Sequence, residues 1–263
     1  LKNWSLYLQG MQEEAATQTK HDMAATLKRA QLGIIQRYGM IFDVNGGLVR
    51  LKQVVEDHAK EELPSGDGSE EFMLGMLHWE GVLVEQNNKR SAELLRAGVE
   101  KGNPDSMVAW GFLLLLERQD ERPDPPFLSL PEDEGAVELF RQAAEKGHVT
   151  AQYQMGEISV NHGHMEKAAL YLKAATGGGH PEAPFIWARE LEKGKLGEEE
   201  GEKRQEKAME LYHLAAQRSS PEANFHLSRC YFYGEGGVEV NKSLAAAYIR
   251  IATGLGCAEA QYI

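Results

Sequence analysis

Residues Ala175–Ala183 read "ATGGGHPEA", and the same nine-residue shape returns four more times: "GVEKGNPDS" (Gly98–Ser106), "AAEKGHVTA" (Ala143–Ala151), "AAQRSSPEA" (Ala215–Ala223) and "ATGLGCAEA" (Ala252–Ala260). An apolar residue follows each junction two positions on: Val108, Tyr153, Phe185, Phe225 and Tyr262. After the first four, a bulky apolar residue comes four positions on (Trp110, Met155, Trp187, Leu227) and a small one directly after it (Gly111, Gly156, Ala188, Ser228). "EEFMLGMLHWEG", beginning at Glu70, fits the same frame through Phe72, Leu74 and Gly75. Self-similarity at this period marks a stack of repeated units, each too small to bury its apolar face alone.

The repeats begin near residues 70, 106, 151, 183, 223 and 260, with gaps of 36, 45, 32, 40 and 37 residues. Unequal gaps put the insertions in loops. The two longest are Glu117–Gly135, acidic and proline-rich, and Glu192–Lys207, charged and punctuated by glycine; proline removes a helical donor and clashes with the preceding turn. Within a unit, Ala151, Met155 and Ser159, or Ala223, Leu227 and Tyr231, fall at helical spacing. A second helix follows each loop: "EGAVELFRQAAEKG", "MEKAALYLKAAT", "QEKAMELYHLAAQ" and "KSLAAAYIRIAT" each place alanines and large apolar residues on one stripe with charges opposite. Each unit is therefore a pair of helices, and the small residues are positions of close packing.

Ala223–Gly256, "ANFHLSRCYFYGEGGVEVNKSLAAAYIRIATGLG", resembles the Sel-1-like repeat (SLR) family, a relative of the tetratricopeptide repeat with longer and less regular units. The pattern A-x-Y-x-L-G-x-x-Y-x-x-G-x-G-V-x-x-D-x-x-K-A is met here at Ala223, Phe225, Leu227, Tyr231, Gly234, Gly236, Val238, Ala245 and Tyr248, with Asn241 for the usual Asp, Ser228 for the usual Gly and one extra glycine. "AQYQMGEIS" and "KAALYLKAAT" match as well, across a shorter loop, "VNHGHMEK". The resemblance covers Glu70 to the end, and implies an all-α fold: an α-solenoid, a right-handed superhelix of helix-turn-helix units. Residues 1–69 form an N-terminal helical region, either a degenerate repeat around "KRAQLGIIQRYG" or a cap, since terminal units of solenoids depart from the pattern. The final "AEAQYI" reads as the opening of another first helix, continued by further sequence or capped by a partner.

Chemistry is weighed against this frame. Three glycines beside His180 suggest a phosphate loop, as does "YGEGGVEVN" at Tyr233–Asn241. A phosphate loop joins a strand to a helix N-terminus so that N–H groups converge on the anion. Here a helix precedes each run, and Gly177–Gly179 fill the slot taken elsewhere by "EKG" and "QRS", so a helix C-cap with positive φ is the better reading. His162 and His164 offer two metal ligands without a third at close spacing, and no metal is assigned. No nucleophile elbow, Cys/His signature or HExxH occurs, so no catalytic residue, enzyme activity or cofactor is assigned.

The formal net charge of −12 argues against sequence-independent binding to nucleic acid and to anionic membranes, and favours basic partners. No apolar run is long enough to cross a bilayer, and Cys230 and Cys257 are too few for a disulfide framework, which suits a reducing compartment such as cytoplasm or an organelle matrix. What remains is recognition. Stacked hairpins line a concave face with their first helices, and tetratricopeptide geometry points the residues two and six places after each start into it: Phe72 and Met76, Val108 and Phe112, Tyr153 and Glu157, Phe185 and Arg189, Phe225 and Arg229. The expected function is an adaptor or scaffold that binds a partner protein or peptide, including one with basic segments, on that face; the alternative is a permanent structural or assembly subunit of a larger complex. Aromatics at the first of each pair could equally pack between neighbouring repeats.

Overall fold

The computed structural model describes residues 66–81, 84–117, 134–196 and 201–262. The expectations for residues 1–65, and for the middle of the proline-rich insertion, lie outside them. Among the described residues the chain is helical throughout: α1 (Ser69–Glu80), α2 (Asn88–Glu100), α3 (Pro104–Glu117), α4 (Glu134–Glu145), α5 (Val149–Asn161), α6 (Met165–Gly177), α7 (Ala183–Glu192), α8 (Gly201–Gln217), α9 (Pro221–Tyr233), α10 (Lys242–Gly254) and a 3₁₀ turn, Glu259–Tyr262. The chain divides at Phe112 and Leu113 into two compact units. In the first, α1 packs on α2; in the second, α4 to α10 pack each on the next. Hairpins α5–α6, α7–α8 and α9–α10 thus stack in sequence order, as the repeats require.

The five junctions share one backbone solution. The fifth residue of each has positive φ: Gly102 (78°), Gly147 (85°), Gly179 (93°), Ser219 (66°) and Gly256 (89°). In each, the sixth residue's N–H donates to the carbonyl of the first, as in His148 to Ala143 (3.0 Å), His180 to Ala175 (2.9 Å) and Ser220 to Ala215 (3.0 Å). This is the Schellman ending of a second helix. In three of the five junctions the sixth residue then turns round and caps the next first helix: Asn103 Oδ1 accepts from Ser106 N–H (2.8 Å), His148 Nδ1 from Ala151 N–H (3.2 Å) and Ser220 Oγ from Ala223 N–H (3.2 Å); His180 Nδ1 instead accepts from Glu182 N–H (3.2 Å), before α7 begins. One residue stops one helix and starts another.

Both ends of the nine-residue shape are buried: Ala143, Ala175, Ala215 and Ala252 at the front, Ser106, Ala151, Ala183 and Ala223 at the back. The small residue in each first helix also sits where a hairpin closes. A Cβ on Gly75 would come 2.9 Å from Leu95 Cγ, and one on Gly156 2.8 Å from Leu172 Cδ2. The fully buried Leu95, Phe140, Leu172 and Tyr212 hold equivalent places in successive second helices, and burying each such side chain contributes about 1.5–3 kcal/mol. Within "AEAQYI", Glu259–Tyr262 forms a 3₁₀ turn rather than an α-helical one, the tighter winding that suits so short a segment.

Candidate functional site

The N–H groups of the glycine-rich junction are already used. Gly178 donates to Ala174 O (2.8 Å), Gly179 to Thr176 O (3.2 Å) and His180 to Ala175 O (2.9 Å), so none converges on an anion. "YGEGGVEVN" behaves alike: Gly234 and Glu235 donate to Cys230 O (2.8 and 3.0 Å), and Asn241 to Tyr231 O (2.8 Å). His162 and His164 are exposed with ring centroids 6.2 Å apart, and His162 Nδ1 lies 2.8 Å from Ile158 O. Among the described residues no group of three or more His, Cys, Asp or Glu is arranged to hold a metal ion.

In the first unit three of the four expected open positions are closed. Phe72 and Met76 are each 4% exposed and Val108 0%; so buried, they offer no surface to a partner. The physical reason is compositional: α1 ("SEEFMLGMLHWE") and α3 ("PDSMVAWGFLLLLE") are apolar almost all round, and such a helix is buried on every side. Phe112 is half-buried.

The second unit differs. Tyr153, Glu157, Phe185, Arg189 and Phe225 are half-buried and Arg229 is exposed, on first helices whose opposite sides carry the core. Tyr153 stacks on His180 (centroids 4.1 Å, 11° between planes) and hydrogen-bonds Glu157 one turn on. Arg189 reaches towards that carboxylate from α7, holds Glu190 Oε1 at 3.1 Å and lies 5.9 Å from the Phe185 ring. Phe185 leans on Tyr212 (5.8 Å), whose hydroxyl donates to Glu192 Oε2 (2.9 Å) and whose ring lies against His226 (3.9 Å). Phe225 packs against the cluster of Ala252, Cys257 and Ala260. Half of each predicted pair is thus structural, since the aromatics at the second position lean on the following repeat.

Charge on this face is strongly perturbed. Burial, helped by the negative charge of Glu222, lifts the Glu182 carboxyl to about 7, while the Ser220 hydroxyl, donating at 2.8 Å, opposes the rise. Burial raises Glu157 too, against the Tyr153 hydrogen bond and Arg189. His180 is held down at about 3, first by burial and then by the Arg218 cation, with a further contribution from the neighbouring His148; Arg218 Nη1 donates to Thr176 O (2.9 Å) and His180 O (3.1 Å). The face is therefore acidic and aromatic, with Arg189 and Arg229 interspersed. Sequence reasoning missed Glu182, Glu222, His180 and His226; the repeat frame does contain a signal for the first two, since both precede the repeat's opening alanine.

The Sel1 repeat family model matches residues 71–103, 131–148, 194–220 and 221–257. The chain is a Sel1-repeat protein. Its fold is similar to that of a protective antigen from uropathogenic Escherichia coli strains displaying an SLR fold (TM-score 0.62, 21% identity, covering 90% of this chain and 47% of that one). A Sel1 repeat protein from Oxalobacter formigenes superposes with TM-score 0.63 at 18% identity, covering 80% of this chain and 84% of that one. An uncharacterized protein of Neisseria meningitidis serogroup B is 25% identical over 171 residues, 65% of this Sel1-repeat chain and 32% of the relative, so the chain spans about a third of that protein's length. The fold of this Sel1-repeat protein is an all-α solenoid. Sel1 repeats are an interaction fold, typically non-catalytic, that generally binds other proteins. Among the described residues no helix is long and apolar enough to cross a membrane.

Proposed function

We propose that this Sel1-repeat protein is a non-enzymatic adaptor that binds a partner protein or peptide with basic segments on the open face of the first helices α5, α7 and α9. The observation that carries the reading is the run of half-buried Glu157 and Arg189 and exposed Arg229, flanked by the half-buried Tyr153 and bordered by Glu182 and Glu222, beside a packed core. A Lys or Arg seated beside the Glu157 and Glu182 carboxyls favours their ionised form, so basic segments bind with release of the protons that burial retains. The half-buried aromatics supply flat apolar area beside those charges, the combination enriched at interface centres.

Quantitative affinity purification tests it, with the wild-type chain and a Glu157→Lys/Arg189→Glu double variant as baits. The double variant is expected to lose the enriched partners by about tenfold or more, roughly the cost of one reversed charge contact in a desolvated face. If it retains every partner at wild-type yield, with helicity unchanged by circular dichroism, the open face is not the binding surface.

A further inference from the structure

Three large apolar side chains stand in solvent at the end of α9. Phe232 is 48% exposed, Tyr233 63% and Val240 56%. Phe232 and Tyr233 meet edge to face, centroids 4.9 Å apart at 80°, and Val240 folds back onto Gly234, the next residue along, where a Cβ would lie 3.1 Å from its Cγ2. Repeat packing does not demand an aromatic pair here: counted from the repeat start, the place of Phe232 is held by Val160, which packs on the core, in α5 and by Glu192 in α7, and that of Tyr233 by Asn161 and by Lys193 just after α7. Clustered exposed apolar side chains mark interaction sites far more often than scattered ones do.

The patch is held in shape. Asn241 N–H bonds Tyr231 O (2.8 Å), Gly234 and Glu235 bond Cys230 O, and Gly236 lies against Met209, where a Cβ would come 2.9 Å from Sδ. The Asn241 side chain in turn caps α10 by accepting from Leu244 N–H at 3.0 Å. The loop therefore presents Val240 without an ordering cost at binding.

We propose that Phe232, Tyr233 and Val240 form a docking site for a partner segment that carries an apolar anchor between basic residues. Charge chooses the occupant. The patch is followed by the exposed carboxylates Glu235 and Glu239; Lys242 has its ammonium 5.9 Å from the Phe232 ring, and exposed Arg229 stands one turn back along α9, so the excess negative charge that selects the occupant is that of the chain as a whole. A second copy would bring these same carboxylates against themselves on a chain of formal charge −12, and an anionic lipid surface meets the same repulsion. A segment such as Lys-Phe-Lys-Leu-Lys satisfies both the apolar and the acidic elements. The inference deepens the reading of the open face, because Phe225, Arg229 and Phe232 follow one another at helical spacing along α9.

Fluorescence anisotropy with a fluorescein-labelled Lys-Phe-Lys-Leu-Lys peptide, and a Glu-Phe-Glu-Leu-Glu control, tests it on the full chain. The basic peptide is expected to bind, the acidic one not, and Phe232→Ser/Tyr233→Ser to weaken binding about tenfold while Lys167→Glu, exposed on the second helix α6, leaves it within about twofold. Glu235→Lys/Glu239→Lys is expected to weaken it as well. Both pairs are exposed, so circular dichroism should match wild type. Equal binding by the patch variant and wild type overturns the patch, and loss on Lys167→Glu alone overturns it while leaving the open-face reading standing. No binding by wild type, equal binding of both peptides, or a dimer in sedimentation that the patch variant abolishes, each overturns the stated occupant.

Discussion

The three glycines of "ATGGGHPEA" look alike in sequence and do three different things. Gly177 is the last helical residue of α6, has open space where a Cβ would go and needs no unusual φ. Gly178 has ordinary φ (−74°), but a Cβ there would lie 2.5 Å from Val149 Cγ2. Gly179 has free space yet φ of 93°. Alanine scanning by urea denaturation should separate them. Gly177→Ala is expected to stabilise by about 0.5–1 kcal/mol through helix propensity and a less flexible unfolded chain. Gly178→Ala should destabilise by about 1–3 kcal/mol, because a β-branched valine cannot swing away freely. Gly179→Ala should cost about 1 kcal/mol for the left-handed backbone. Ser219, the only non-glycine residue with positive φ among the described residues, gives the converse: Ser219→Gly is expected to stabilise by about 1 kcal/mol. Equal effects at all three glycines would contradict this division of roles.

At the scale of the element, the junction welds two helices, and one such weld is tuned by protons. Glu182 precedes α7 and accepts the Ser220 hydroxyl proton (2.8 Å), while Ser220 Oγ accepts the Ala223 N–H that caps α9 (3.2 Å). With its carboxyl raised from 4.5 to about 7, the folded protein holds a proton that the unfolded chain has released, so this contribution to stability is full below pH 4.5 and falls as pH rises to about 7. His180, lowered from 6.5 to about 3, acts in the opposite direction: its contribution is full above 6.5 and falls on acidification. The two slopes oppose one another between 4.5 and 6.5, leaving the Glu182 decline uncompensated just above. Glu182→Gln, which keeps the acceptor without the charge, is therefore expected to exceed wild type by about 1–2 kcal/mol near about pH 8 and to converge with it near about pH 5. A constant difference across that range would show that the carboxyl does not titrate there. These junctions were legible in sequence because Schellman endings and caps are local, written in nine consecutive residues. The open face was legible only in part. Tyr153, Glu157, Phe185, Arg189, Phe225 and Arg229 lie on helices with a polar side, so the two-and-six rule has something to distinguish. On α1 and α3 nearly every position is apolar, and the same rule picked the buried Phe72, Met76 and Val108. Nothing local marked Glu182 and Glu222 as neighbours, since they belong to successive repeats.

For the whole molecule, a formal charge of −12 divides the work of binding between two rates. The long-range field of an acidic chain draws a basic segment in before contact and fades over the Debye length, about 10 Å at 0.1 M salt. The apolar anchors act only after contact, and salt screens them little. Stopped-flow binding of the Lys-Phe-Lys-Leu-Lys peptide should show this separation. Raising salt from about 0.02 M to about 0.3 M is expected to lower the association rate about tenfold and to change dissociation by less than about threefold. Glu235→Lys/Glu239→Lys should mimic salt and slow association, whereas Phe232→Ser/Tyr233→Ser should leave association near wild type and speed dissociation about tenfold. Were the aromatic variant to act on association and the carboxylate variant on dissociation, the assignment of steering to the carboxylates and of holding to the α9 aromatics would be reversed. The two pairs are only a few residues apart in sequence, so the contrast tests chemistry rather than location.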